Sequence, residues 1–410
     1  MSRGKKKGIA GWRRVMIQGG LLVLCILVCT GCSAKKAGPD AEAKAENREE
    51  LLLWSYYETD AQIRGLDELV ADFNNSQDRY RMSWEYVTMS DFDRRISRAY
   101  TEKALPDLVL IDNPAMLRFI QLGLFEDITE YAKNLNLETD YYPASTGTVR
   151  RNGHYFGVPF NSNNVCLFYN REIMENAGIE IPEDWDSFKE AAGKAVAAGY
   201  DGFLMSCIDS EQGAFQILSW IMAASMRLDR KGISEAFAFL QELVTSGALS
   251  AECLNYSQTD IARKFAEGKI AMMENGPWVF SILDEAGIDY GMAPLPKGNH
   301  SAVILGGENL GIMRGKNVEG SVEFIRYCME DGGIEKFCET AQMLPSRIET
   351  AEKSLEKNPK LEVTARQMEY AVARTDIEGW NSYSGRITEY FAQVLEGTLT
   401  PEEAANRILL

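Results

Sequence analysis

The chain has 410 residues, 45% of them hydrophobic, and its 60 acids outnumber 43 bases for a formal charge of −17. That length and apolar content exceed what one hydrophobic core usually organises and favour two lobes. A strong negative field repels phosphate backbones and anionic headgroups, which argues against nucleic acid and against polybasic attachment to a membrane.

In chain order, a basic start (Arg3, Lys5, Lys6, Lys7, Arg13, Arg14) leads into an apolar run from Leu21 to Cys29, then Thr30, Gly31 and Cys32. The run is far shorter than the roughly 20 residues a helix needs to cross a bilayer core, so residues 1–31 read as an export signal. The layout resembles bacterial lipoprotein signals, although Cys29 stands where those usually carry Leu. That resemblance implies lipid attachment at Cys32 and a place on the extracellular face of the cell membrane. An ordinary cleaved signal, or twin-arginine export through Arg13 and Arg14, also puts the body outside the cytoplasm. Residues 32–50 hold Ala, Lys and Glu with Pro39 and no large apolar side chain, and read as a flexible tether.

The body begins with an apolar run at Leu51–Trp54, helical spacing over Ala61–Phe73, and alternation from Tyr80 to Tyr86, which predicts strand, helix, strand. A helix over Asp91–Glu102, a buried strand at Leu108–Ile111 and a helix over Pro114–Leu122 follow. Strands alternating with helices imply parallel pairing with helices on both sheet faces. Beyond Pro182 the texture turns helical: Asp184 is placed to cap Trp185–Ala198, and Gly213–Met226 and Ile233–Thr245 are further helices, with Gly199 and Gly247 where helices stop. Once Cys25, Cys29 and Cys32 are assigned to the signal and the lipid, Cys166, Cys207, Cys253, Cys328 and Cys338 remain. They show no C-x-x-C spacing and read as small packing residues.

Catalytic signatures are sparse. The histidines are His154 and His300, with no G-x-S-x-G elbow, H-E-x-x-H, G-x-G-x-x-G or P-loop pattern, so no catalytic residue, metal or cofactor is expected. A carboxylate pair for sugar hydrolysis stays open, since sequence gives no separations. Aromatic and amide groups stand instead at expected strand ends and loops: Trp54, Tyr56 and Tyr57; Asp112 and Asn113; Asn161 to Asn164; Trp278; Trp380, Asn381 and Tyr383. Ligands of open α/β sheets bind outside the carboxyl ends of strands. Rings that stack on C–H faces, together with amides and carboxylates that pair hydroxyls, match a sugar.

The stretch Asn152-Gly153-His154-Tyr155-Phe156-Gly157-Val158-Pro159, continuing through the asparagines to Asn170, resembles the maltose-binding-like extracellular solute-binding proteins of carbohydrate ABC importers. So do, in the family's order, Leu105–Asp112, Ile181–Phe188, Phe265–Trp278, Ala293–Gly298, Gly306–Ile312, Leu344–Arg347 and Leu395–Ala404. The resemblance implies an α/β, two-lobed periplasmic-binding-protein-like fold of type II, each lobe a mostly parallel sheet flanked by helices. Chain crossings near Pro159–Asn164, Val303–Gly306 and Met343–Pro345 form the hinge. Lobe 1 is then residues 51–160 plus 305–343, and lobe 2 residues 161–304 plus 344–410. A carbohydrate would bind in the cleft by hinge closure and pass to an ABC permease, with the binder monomeric and non-enzymatic. Trp278 matches a position that often stacks on sugar, Asn161, Asn163 and Asn164 lie at a crossing, and Gly306, Gly307, Glu308 and Asn309 match a loop approaching the ligand. Trp54, Tyr56, Asp112, Trp220, Arg347 and Trp380 are carried over more weakly. The same scaffold could hold a glycerophosphodiester, an iron chelate or a polyamine, and a tethered glycoside hydrolase is the enzyme alternative.

Overall fold

A computed structural model describes residues 48–330 and 332–410. The signal, Cys32 and the tether up to residue 47 lie outside the described residues. The first strand opens at Glu49, so the expected tether ends slightly earlier than residue 50.

The strands are β1 (Glu49–Ser55), β2 (Tyr80–Tyr86), β3 (Leu108–Asp112), β4 (Arg150–Arg151), β5 (His154–Tyr155), β6 (Gly157–Asn163), β7 (Cys166–Asn170), β8 (Asp201–Leu204), β9 (Ile270–Asn275), β10 (Tyr290–Ala293), β11 (Val303–Ile312), β12 (Leu344–Pro345) and β13 (Ala371–Ala373). One sheet runs β12-β6-β11-β3-β1-β2, with β13 also on β11; a second runs β10-β7-β9-β8; β4 and β5 form a hairpin. Pairing is parallel for β1–β2, β1–β3, β8–β9 and β11–β13. It is antiparallel for β3–β11, β6–β11, β6–β12, β7–β9 and β7–β10. Both sheets are therefore mixed, and parallel pairing from helix alternation holds where a helix links neighbours. Strands that return from the other sheet arrive without such a crossover and run antiparallel.

Strand period sets the layers. In β3 every residue is buried, with Leu108 and Leu110 in one core and Val109 and Ile111 in another, so both faces of the first sheet are covered. The second sheet has a core of its own around Leu167, Phe203, Met272 and Trp220. The chain passes between the cores three times. Phe160 packs with the first and Val165 with the second; Leu310 with the first and Leu305 with the second; Met343 with the first and Leu344 with the second.

Local signals act as the sequence implies. Thr59 caps the helix Asp60–Ser76 in a reciprocal box with Gln62, and Asp184 caps Trp185–Ala197 by accepting from Ser187 N at 2.9 Å. The helix expected over Gly213–Met226 runs Glu211–Ser225, and every residue from Gly213 to Ala224 is buried. Gly306–Asn309, expected as a loop, lie inside β11, whose register against β6 shifts between Glu308 and Asn309. Crowding explains the glycines there: Gly307 has φ +126°, and a Cβ on it would sit 2.2 Å from the Asn161 carbonyl oxygen. Gly307→Ala should lose at least about 1–3 kcal/mol of stability from backbone strain alone, read as a lowered urea midpoint; an unchanged midpoint would show that the crossing relaxes freely.

Candidate ligand-binding cleft

Where the two sheets face each other, strand ends and helix starts converge on a cavity of about 750 Å³. From the first sheet come Tyr56 and Tyr57, just past β1, Asp112 at the end of β3, and Gly306 to Glu308 of β11. From the second come Glu211, Gln212 and Phe215, opening the helix Glu211–Ser225, and Gln258 and Thr259, opening the helix Gln258–Ala266. Trp278 stands in the turn after β9. Its half-buried indole folds back over Gly276, where an added Cβ would lie 2.0 Å from the ring. The Trp278 ring is 6.3 Å from that of Phe215, and its Nε1 has no hydrogen-bond partner among the described residues.

Glu308 is the acceptor centre of the first wall. Tyr56 Oη donates to its Oε1 at 2.8 Å, and Tyr57 Oη and Asn161 Nδ2 donate to its Oε2 at 3.0 and 2.6 Å. In the β3–β11 pair Glu308 lies directly across from Asp112, so two carboxylates share one stretch of sheet. Burial pushes the Glu308 carboxyl up to about 7, with Asp112 adding to it and the three donors opposing it. The phenols of Tyr56 and Tyr57 are raised well above their usual range, first by burial and then by Glu308, so both remain protonated donors.

A second centre binds the walls together. Arg374, directly after β13 and 3% exposed, donates from Nη2 to Asp112 Oδ1 at 2.7 Å and from Nη1 to Asp112 Oδ2 at 3.0 Å and Glu211 Oε1 at 2.7 Å. Its guanidinium also sits 4.7 Å from the Phe215 ring centroid. Burial opposes the Arg374 charge, yet Asp112 and Glu211 outweigh it and hold the guanidinium above its ordinary range. Glu211 also accepts from Trp380 Nε1 at 2.8 Å and from Ser384 Oγ.

The cavity continues. A second chamber of about 480 Å³ shares Tyr56, Met89, Asp112 and Glu211 with the first. A third, of about 930 Å³, shares Pro114 and Asn381 with the second and reaches Thr375 and Trp380. The three make one trough from Trp278 to Trp380.

The profile of the bacterial extracellular solute-binding proteins matches residues 68–363, more than half of the chain. The chain belongs to that family. As a solute-binding protein it is 28% identical over 200 residues to a maltotriose-binding protein of Pyrococcus abyssi, a match covering 47% of this chain and 42% of that protein. Its fold is similar to an ABC transporter solute-binding protein of Thermotoga lettingae bound with α-D-tagatose (TM-score 0.78, 24% identity, 88% of this chain and 100% of that one). It is also similar to the GacH receptor of Streptomyces glaucescens, known unliganded and with acarbose (TM-score 0.77, 22% identity, 88% and 96%). These likenesses give the two-lobed α/β architecture of periplasmic binding proteins.

Of the residues expected at the site, the solute-binding protein brings Tyr56, Asp112, Asn163, Trp278, Gly306, Gly307 and Glu308 to the first chamber and Trp380 to the third. Asn161 stands behind Glu308 and also accepts from Tyr57 Oη at 2.7 Å. Five lie elsewhere. Trp54 is 3% exposed in the core, because it faces inward on β1, with Arg95 over its ring at 4.6 Å. Trp220 is buried in the middle of the helix Glu211–Ser225 and donates to Glu274 Oε2 at 2.7 Å. Asn164 ties Thr364 and Gln367 across the second core at 2.9 and 2.8 Å, and Asn309 exchanges hydrogen bonds with Thr148 on the far side of β11. Arg347 pairs with Asp140 at 3.3 Å away from the chambers; the cation of the first chamber is Arg374. Sequence reading missed Arg374, Glu211, Gln212, Phe215 and Thr259. A carboxylate opening a helix that is otherwise buried, and a lone Arg after Ala-Val-Ala, were the available signals.

Two outcomes follow. The folded chain holds a proton on Glu308 that the unfolded chain, near 4.5, has released. That contribution is full below 4.5 and is lost as pH rises through about 7. Glu308→Gln should therefore flatten the fall in stability over that window in urea titrations at stepped pH. Arg374→Ala strands two carboxylates and should cost about 3–5 kcal/mol, seen in the same urea assay.

Proposed function

We propose that this protein captures an uncharged oligosaccharide in the trough and delivers it to an ABC permease, as a lipoprotein anchored at Cys32, without cleaving it. Residues 51–160 with 305–343 form one lobe, residues 161–304 with 344–410 the other, and the monomer closes about the three crossings. The observation that carries the reading is the trough itself: the half-buried Trp278 at the first chamber, Tyr56 shared by the first two, and the edge of the largely buried Trp380 bordering the third. Aromatic faces suit sugar C–H surfaces, and the carboxylates and amides of Asp112, Asn163, Glu211, Gln212 and Gln258 around the first chamber suit hydroxyls. Three adjoining chambers, each sharing lining residues with the next, favour a chain over a single sugar. Glu58, Asp112, Glu211 and Glu308 line the first chamber against one guanidinium, Arg374, an excess of acid that repels phosphate esters. The sugars in the names of the relatives support the same reading.

The test is a thermal-shift panel of gluco-, cello- and xylo-saccharides from one to four units, with spermidine and glycerophosphocholine alongside, followed by calorimetry. A true ligand raises the melting temperature with concentration, and affinity should rise with chain length to at least three units, the sugar being recovered intact by chromatography. Stabilisation by spermidine or the phosphodiester and by no saccharide would overturn the reading, and so would release of cleaved sugar. Trp278→Ala should weaken the best saccharide by roughly 1–3 kcal/mol; unchanged affinity would remove Trp278 from the site.

A further inference from the structure

Among the described residues five buried cysteines are free thiols, and two of them are juxtaposed. After β8 the chain runs on alongside the segment 248–253. Phe203 N donates to Ala248 O at 2.8 Å and Cys207 N to Cys253 O at 2.9 Å, with a parallel bridge between Phe203 and Leu249. Ser206 Oγ adds a bond to Tyr256 O at 2.6 Å. Cys253 lies in the short 3-10 helix Ala251–Asn255, and the bond from Cys207 N to its carbonyl puts the two cysteine backbones in direct contact, as the short span between α-carbons of a disulfide requires. Cys207 and Cys253 are 1% and 0% exposed, and their thiols interact with each other. Cys166, by contrast, is engaged with Asn164, Thr364 and Gln367.

We propose that Cys207 and Cys253 are a disulfide-forming pair that staples one wall of the cleft. The Cys207 side leads directly to Glu211 and Gln212, the Cys253 side to Gln258 and Thr259, and Gln258 N already donates to Gln212 Oε1 at 3.1 Å. A covalent link here would hold those two helix starts in register. Its formation removes two thiol protons and two electrons and makes one S–S bond; a disulfide-bearing oxidant accepts them and opens into two thiols. The family is extracellular, where such bonds persist. Burial raises the Cys207 thiol well above its ordinary range, so exchange in the folded state is slow and the bond forms as the chain folds.

The experiment refolds the full chain from urea with oxidised glutathione, or with a reductant, then alkylates in denaturant and maps peptides by mass spectrometry. The oxidised sample should yield a cross-linked pair containing Cys207 and Cys253, two hydrogens lighter than the separate thiols, while Cys166, Cys328 and Cys338 are alkylated. The melting temperature should be higher in the oxidised than in the reduced form, and Cys207→Ala with Cys253→Ala should abolish that difference. Alkylation of both Cys207 and Cys253 after oxidative refolding, or a bond joining Cys207 to another cysteine, would overturn the proposal.

Discussion

A buried guanidinium can persist only where carboxylates replace the water it has lost, and Arg374 takes one from each side of the cleft. Asp112 comes from the carboxyl end of β3 and Glu211 from the first turn of a helix on the second core. Removing either leaves the other as the guanidinium's remaining carboxylate, whereas removing Arg374 leaves both without their buried cation. The end of β3, the start of that helix and the segment after β13 are therefore held to one geometry. Trp380, donating to the same Glu211, is positioned by it in turn.

The opposite arrangement holds at Glu308. There the carboxylate is the buried charge and neutral donors surround it, two phenols from the segment just past β1 and an amide from β6. Three donors on two oxygens suit an anion, while burial and the facing Asp112 resist it, and the balance leaves the group near neutrality's threshold. Glycines at 306 and 307 are what allow β6 and β11 to approach closely enough for this network. The crossing strands thus serve both as hinge and as one wall of the site.

Contacts directly across the cleft mouth are weak by comparison. Thr259 donates to Glu58 at 2.8 Å in an exposed pair, and Gln212 approaches Met89 Sδ at 3.7 Å. Exposed pairs of this kind contribute little, so they do not lock the lobes. Closure must draw on differential affinity of the ligand for the closed form, the hinge behaviour known for periplasmic binding proteins as a class.

Periodicity, caps and glycine stops were legible along the chain because they arise from neighbours in sequence: Asp184 caps its helix, and Leu108 to Ile111 form a buried strand. Motif order pointed to the family, and strand-end aromatics such as Tyr56 and Trp278 pointed to the cleft. What the sequence by itself determined was the set of elements and the class of protein. Which side chains face the cleft was decided only by tertiary structure. Trp54 and Trp220 differ from Trp278 in packing direction, not in type, and Arg374 outranks Arg347 only because folding carries it between Asp112 and Glu211, 262 and 163 residues away. Burial and pairing are properties of distant residues brought together, and no local pattern encodes them.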